Sequence, residues 1–315
     1  MKKKLLFYAP SHFDIDLVLM NELKKLEEYT VINLTNKNYE YNNIWERCQN
    51  FLGKIFLKRI LKKEWKIQGQ INEISSEGPF DLCLIIRPDL LEKMVLQKIK
   101  DSIPIRKVFY WDSFEKIPEL KETLPYFNEH FSFEEDDCKK YTLKQISNFY
   151  IFKNSSNIPE YDAFFFGAHD TRFEKIKQII EYLYNKGWNA KALIVSEHIT
   201  KQDDCIEIIT QNITFSECYK FTENTKVVID IAHNNQKGLS IRPFEAMGLK
   251  RKLITNNVNI KNYDFYNKNN ILIVQNFEKI DIPNTFLESP YQELPNNIYE
   301  KYYITNWLKT ILNNA

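Results

Sequence analysis

Short apolar segments alternate with longer amphipathic ones along the chain, and this alternation runs through twice. FDLCLIIRP (80–88) is a near-continuous apolar run closed by a proline, as expected of a strand buried on both faces of a parallel sheet. LLFYA (5–9), YTVINLT (29–35) and RKVFYWD (106–112) read as further strands, and HFSFEEDDCKKYTL (130–143) as a short strand followed by a short helix. Between them, Ile15, Val18, Leu19, Leu23 and Leu26 recur at helical spacing, and 89–100 is again helical. The order then restarts with YDAFFFGAHD (161–170), a strand running into a glycine loop. Next comes the helix 171–187, with Thr171 and Glu174 spaced as a capping box and Gly187 at its end. Strands are expected at 189–196, 226–232, 252–255 and 271–274, a helix at 240–248, and an amphipathic helix over 298–314. Repeated strand–helix alternation predicts α/β units with parallel sheets covered by helices.

The stretch KNSSNIPE (153–160) combines Asn, Ser and Pro between two apolar segments and marks the expected boundary. The reading is a first domain over 1–155, a second over 156–297 and a closing helix over 298–315. At 315 residues, with 43% hydrophobic and 14% aromatic residues, the chain can bury two cores. Its 43 basic and 42 acidic residues leave a net charge of +1, which argues against a general nucleic-acid coat. The five cysteines are scattered without CxxC spacing, so neither zinc nor a disulfide framework is indicated and a reducing cytoplasm fits. The start MKKKLLFYAP has an apolar run shorter than the roughly 7–15 residues of a signal peptide, and reads as a first strand.

FLGKIFLKRILKKEWK (51–66) stands apart. Phe51, Leu52, Ile55, Phe56, Ile60 and Leu61 fall on one helical side, and six basic residues face one acid, Glu64. Such a helix is either a solvated surface element or a contact with a membrane surface or anionic acceptor. The second reading would place the protein at the cytoplasmic face of the inner membrane.

In open parallel sheets, ligands gather outside the carboxyl ends of the strands. In VIDIAHNNQKGLSIRPFEAMGLKRKLITNN (228–257), Gly238 allows close backbone approach or a positive φ. Ser240 suits an N-cap, and the helix start favours an anion. Lys237 and Arg242 add charge, and Glu245, about a turn later, suits a ribose diol. Together these are parts for a nucleoside diphosphate, and equally for a capped helix with solvated cations. Gly167 with Arg172 forms a second candidate phosphate loop, and His169 and His233 lie at neighbouring strand ends. In the first half, His12, Asp14 and Asp112 are candidates for a general base, with Asp14 alternatively a helix cap.

The segment with Gln236, Gly238, Leu239, Arg242, Glu245 and Ala246 followed by KLITNN resembles the donor-binding segment of bacterial GT-B glycosyltransferases of the polysaccharide and lipopolysaccharide biosynthesis type. FYWDS (109–113), FSFEEDDCKKYTL (131–143), YDAFFFGAHDTR (161–172) and NYDFYNKNNILIV (262–274) resemble the same group. The resemblance implies two Rossmann-like domains facing across a cleft, a C-terminal crossover helix, and transfer of a sugar from a nucleotide-activated donor to a glycan or lipid-linked acceptor. It implies no required metal or other cofactor. Many retaining members carry two glutamates eight positions apart, the second matching Glu245; here the first position is Lys237, so the pattern does not support a retaining mechanism. A sugar-nucleotide 2-epimerase shares the architecture, and a non-catalytic nucleotide- or glycan-binding assembly subunit is a third reading. A nicotinamide dehydrogenase is disfavoured, because no GxGxxG follows the first strand.

Overall fold

A computed structural model describes residues 2–11, 14–36, 39–153, 158–197, 203–211, 213–234 and 236–313. The chain forms two compact units, one of residues 1–132 and 137–144, the other of 133–136 and 145–313. Residues 133–136 therefore belong to the second unit although they fall between elements of the first. Within the expected boundary stretch at 153–160, positions 154–157 lie outside the described residues.

The first unit contains β1 (Lys3–Tyr8), α1 (Ile15–Lys24), β2 (Tyr29–Asn33), α2 (Ile44–Phe56), α3 (Leu61–Glu77), β3 (Leu82–Ile86), α4 (Lys93–Ser102), β4 (Ile105–Tyr110) and β5 (Glu129–Ser132). After them come α5 (Glu135–Tyr141), whose first two residues belong to the second unit, and β6 (Lys144–Gln145), whose second residue does. Its sheet has the order β2-β1-β3-β4-β5-β6, with Leu6 opposite both Ile32 and Cys83 in parallel register. All five residues of β3 are buried, as its unbroken apolar run requires. Val95, Leu96 and Ile99 of α4, one helical face, pack into the core that holds Leu6, Cys83 and Val108.

The second unit contains β7 (Tyr161–Ala168), α6 (Phe173–Asn185), β8 (Ala190–Val195), β9 (Ile206–Ile209), α7 (Phe215–Glu223), β10 (Thr225–Asp230), α8 (Ile241–Gly248), β11 (Lys252–Thr255) and β12 (Ile271–Ile273). The short α9 (Asn284–Glu288), α10 (Asn296–Lys301) and α11 (Ile304–Asn313) complete it. Its parallel sheet runs β12-β11-β10-β7-β8-β9. Counted from β7, this is the doubly wound order 3-2-1-4-5-6, with a topological switch point between β7 and β10. Ile176, Ile179, Ile180 and Leu183 of α6 are fully buried against Phe165, Ala192 and Ile194. Each such side chain contributes roughly 1.5–3 kcal/mol on removal from water.

Several local expectations are corrected. The helix expected over 51–66 is two helices, broken where Lys58 takes φ 50° and Leu57 and Arg59 N–H both donate to Gly53 O. The capping box at Thr171 does not form: α6 begins at Phe173, and Asp170 Oδ1 instead accepts from Arg172 N–H at 2.9 Å. Gly187 does end that helix, with φ 86°. The C-terminal amphipathic stretch is divided into α10 and α11. In α11, Trp307 Nε1 donates to Ser147 O at 2.7 Å, and its ring lies 4.3 Å from that of Phe149, both within the second unit.

Candidate functional site

The switch point of the second unit brings together the loop after β7 and the loop after β10. Asp170 grips Arg172 through Nε at 2.9 Å and Nη2 at 2.7 Å, and Arg172 Nη1 reaches Ile231 O at 2.9 Å. This guanidinium is a strut between the two loops. Burial raises the Asp170 pKa, but the hydrogen bonds and charge of Arg172 outweigh it and hold the carboxyl below its usual range. His233 Nε2 stands 3.9 Å from the same carboxylate. The His169 ring lies 4.6 Å from that of Phe173. Gly167 lies inside β7 rather than in a loop, and a Cβ there would stand 2.8 Å from the Phe165 ring.

The turn before α8 is held from beneath. Lys237 N–H and Gly238 N–H both donate to Glu134 Oε2, at 3.1 and 3.0 Å, while Asn257 Nδ2 donates to the carbonyls of the same two residues. Lys237 Nζ pairs with Asp136 at 2.8 Å, which raises its pKa. Gly238 has no positive φ; a Cβ there would stand 2.5 Å from both the ring and the carbonyl oxygen of Phe133. The glycine thus answers to close packing against the chain itself. Gln236 Nε2 donates to Gly238 O at 3.2 Å.

Ser240 caps α8 as its position predicts. Its Oγ accepts from Arg242 N–H at 3.3 Å and donates to Asp230 Oδ1 at 3.0 Å, and Thr255 Oγ1 donates to Asp230 Oδ2 at 3.4 Å. Asp230 is buried at the end of β10, so the helix start is tied to the sheet. Arg242 and Glu245, three residues apart on α8, share a helix face. Both are half-buried. The Arg242 guanidinium lies 5.4 Å from the Phe165 ring centroid. Among the described residues, no carboxylate pairs with Arg242 and no donor reaches the Glu245 carboxyl. Burial, countered by Arg242 and reinforced by Asp230, pushes the Glu245 pKa up to about 7.

Of the predicted cations, then, Arg172 and Lys237 are committed to carboxylates and Arg242 is not. A cavity of about 650 Å³ opens on the far side of the turn, lined by Lys237, Asn259, Tyr263, Tyr302 and Trp307. It reaches neither Arg242 nor Glu245. Sequence reasoning missed Asp230, Glu134 and Asn257, which shape the turn. The acidic cluster FSFEEDD was visible, but its contact with a turn about 100 residues later was not. Among the described residues, no group of three His, Cys, Asp or Glu side chains gathers as a metal site.

In the first unit the sheet order places its own switch point between β1 and β3. His12 lies outside the described residues. Asp14 is exposed with φ 59°, at the N-cap position of α1 but without a side-chain cap bond. Asp112 follows β4, and its two oxygens accept from Arg87 Nη1 at 2.9 Å and Lys116 Nζ at 2.5 Å. Arg87, itself at φ 58°, also grips Asp89 through Nε and Nη2.

No protein-family model matches the chain, and no curated protein matches it. Solved structures match its fold. The UDP-GlcNAc 2-epimerase of Methanocaldococcus jannaschii in complex with UDP-GlcNAc and UDP has a TM-score of 0.50 at 13% identity, over 100% of both chains. The UDP-GlcNAc 2-epimerase from Neisseria meningitidis bound to UDP-GlcNAc has 0.52 at 12%, over 99% of both chains. An alpha-glucosyltransferase in complex with UDP-glucose and DNA containing an abasic site has 0.52 at 11%, over 81% of this chain and 80% of its own. The fold is therefore α/β of the GT-B type, two Rossmann-like units each built on a parallel sheet.

Proposed function

We propose that the protein is a glycosyltransferase that moves a sugar from a nucleotide-activated donor to a glycan or lipid-linked acceptor in bacterial surface polysaccharide synthesis. The observation that carries the donor site is the Arg242–Glu245 pair: half-buried, on one face of a helix anchored at the switch point, and without an ion-pair or hydrogen-bond partner among the described residues. In this reading Arg242 and the start of α8 meet the diphosphate and stabilise the charge that develops as it leaves. Glu245 accepts from the ribose hydroxyls. The Asp170–Arg172 strut and the Glu134-bound turn hold the two loops in place. Cationic side chains and the helix start do this work, and no metal is required. Of the candidate bases, Asp112 is already held by Arg87 and Lys116, which favours Asp14 or His12 for the acceptor proton.

A thermal-shift series with UDP, GDP, CMP and dTDP tests the site. One nucleotide at a hundred times its Kd should add about 2.7 kcal/mol. In a domain of this size that is roughly 5–10 °C. Arg242→Ala and Glu245→Ala should each remove the shift. No shift with any nucleotide, or a shift intact in both variants, refutes the assignment. The epimerase reading is supported by neighbours that match over the whole chain. Incubation with nucleotide sugars alone separates the two, since an epimerase turns over without an acceptor. Tight nucleotide binding with no turnover under either condition would favour the assembly subunit.

A further inference from the structure

Helix α2 is packed the wrong way round for a soluble protein. At about 100° per residue, Ile44, Trp45, Phe51, Leu52, Ile55 and Phe56 fall within an arc of about 140°. They are 49–75% exposed. The opposite side is the one the helix buries, through Asn50 and Gly53. Asn50 Oδ1 accepts from Lys62 N–H at 3.0 Å and its Nδ2 donates to Tyr41 Oη at 2.8 Å. A Cβ on Gly53 would stand 3.1 Å from the Leu61 side chain. The helix start is fixed on that side too, with Asn43 capping Glu46 N–H at 3.0 Å and Glu46 accepting from Tyr39 Oη at 2.9 Å. The polar side thus anchors the helix to its own unit, and the apolar side is presented outward by construction.

Charge names what covers it. Residues 44–66 hold seven Lys and Arg against two Glu, in a chain whose net charge is only +1. A second copy of the same surface would bring seven cations against seven. An anionic surface with an apolar interior matches both properties. A cavity of about 370 Å³ at the start of α3 is lined by Ile60, Lys62, Lys63, Lys66 and Glu92, with Lys63 paired to Glu92 at 2.7 Å, so cations border a recess just beyond the end of α2. We propose that α2 and the start of α3 dock the first unit on a bilayer containing anionic lipids, with the apolar arc in the acyl boundary and the lysines at the phosphates. No described helix is long and apolar enough to cross a membrane, so the contact is interfacial. The inference concerns the first unit and stands or falls separately from the nucleotide-sugar reading.

Co-sedimentation of the full chain with phosphatidylcholine vesicles, with and without a quarter phosphatidylglycerol, tests it. Binding is expected to the anionic vesicles, weakening as salt rises. Phe51→Glu with Phe56→Glu should abolish it while far-UV circular dichroism and any nucleotide-dependent melting shift stay unchanged. Lys54→Gln with Lys58→Gln should weaken it about fivefold per charge removed. Equal sedimentation of the double glutamate variant, or no sedimentation of the parent protein with anionic vesicles, overturns the proposal. So does a wild-type dimer by light scattering that this variant converts to monomer, since a second copy would then cover the face.

Discussion

Replacing Glu245 with glutamine should change how stability depends on pH. The carboxyl is partly removed from water, has no hydrogen-bond donor among the described residues, and has a pKa pushed from 4.5 to about 7. The folded protein then binds a proton that the unfolded chain has released between those two values. Stability therefore falls as pH rises through that window. A pKa of about 7 in place of 4.5, at about 1.36 kcal/mol for each pH unit between them, gives up to about 3 kcal/mol. Glutamine keeps the shape and removes the titration. The variant should match the parent near pH 4.5 and exceed it by up to about 3 kcal/mol at pH 8, or roughly 6–10 °C in Tm. Melting curves of both proteins at half-unit steps from pH 4.5 to 8 supply the measurement. A Tm difference that stays constant across the series refutes the reasoning, because a merely altered contact has no pH dependence in this window. A ligand that donates to this carboxyl should lower its pKa. Nucleotide binding near pH 7 should then release protons, seen as a buffer-dependent enthalpy in calorimetry.

Gly238→Ala places a Cβ 2.5 Å from the Phe133 carbonyl oxygen, which is backbone and cannot rotate away. A loss of about 3 kcal/mol in urea unfolding is expected, and an unchanged midpoint would show that the turn has room. Arg172→Ala leaves Asp170 with an unpaired charge and Ile231 O without its donor, and should cost about 2–3 kcal/mol at pH 7. The Asp170 pKa is lowered in the folded state, so the strut's contribution is present above the unfolded value of 3.8 and is lost as pH falls through the folded one. The difference between parent and variant should accordingly shrink below about pH 4; a difference as large at pH 3 as at pH 7 would rule out the ion pair as its source.

Much of the strand and helix inventory was legible because it rests on local patterns. The apolar run of β3 and the serine that caps α8, Ser240, are read from a few neighbouring residues. Helix breaks were read less well. Nothing in FLGKIFLKRILKKEWK announces that Lys58 turns left-handed, because lysine has no preference for that conformation; in the fold the break goes with Leu61 lying back over Gly53. The fate of the candidate cations was hidden as well. Arg172, Lys237 and Arg242 look alike in sequence, and only the positions of Asp170, Asp136 and Phe165 separate two structural ion pairs from one unpaired guanidinium.

The sequence by itself determined that this chain builds α/β units with buried parallel strands, since the period and length of apolar runs dictate which backbone can bury them. It also determined where strands hand over to loops that carry polar residues. Only the tertiary structure decided the strand order that places the loop after β7 beside the loop after β10. It alone decided that Gly238 serves Phe133, and that α2 turns its apolar side outward. The physical reason is the same in each case. These outcomes depend on which side chains meet once the chain has folded back on itself, about 100 residues apart for Gly238 and within a dozen for α2, and such a partner leaves no periodic trace in the local sequence.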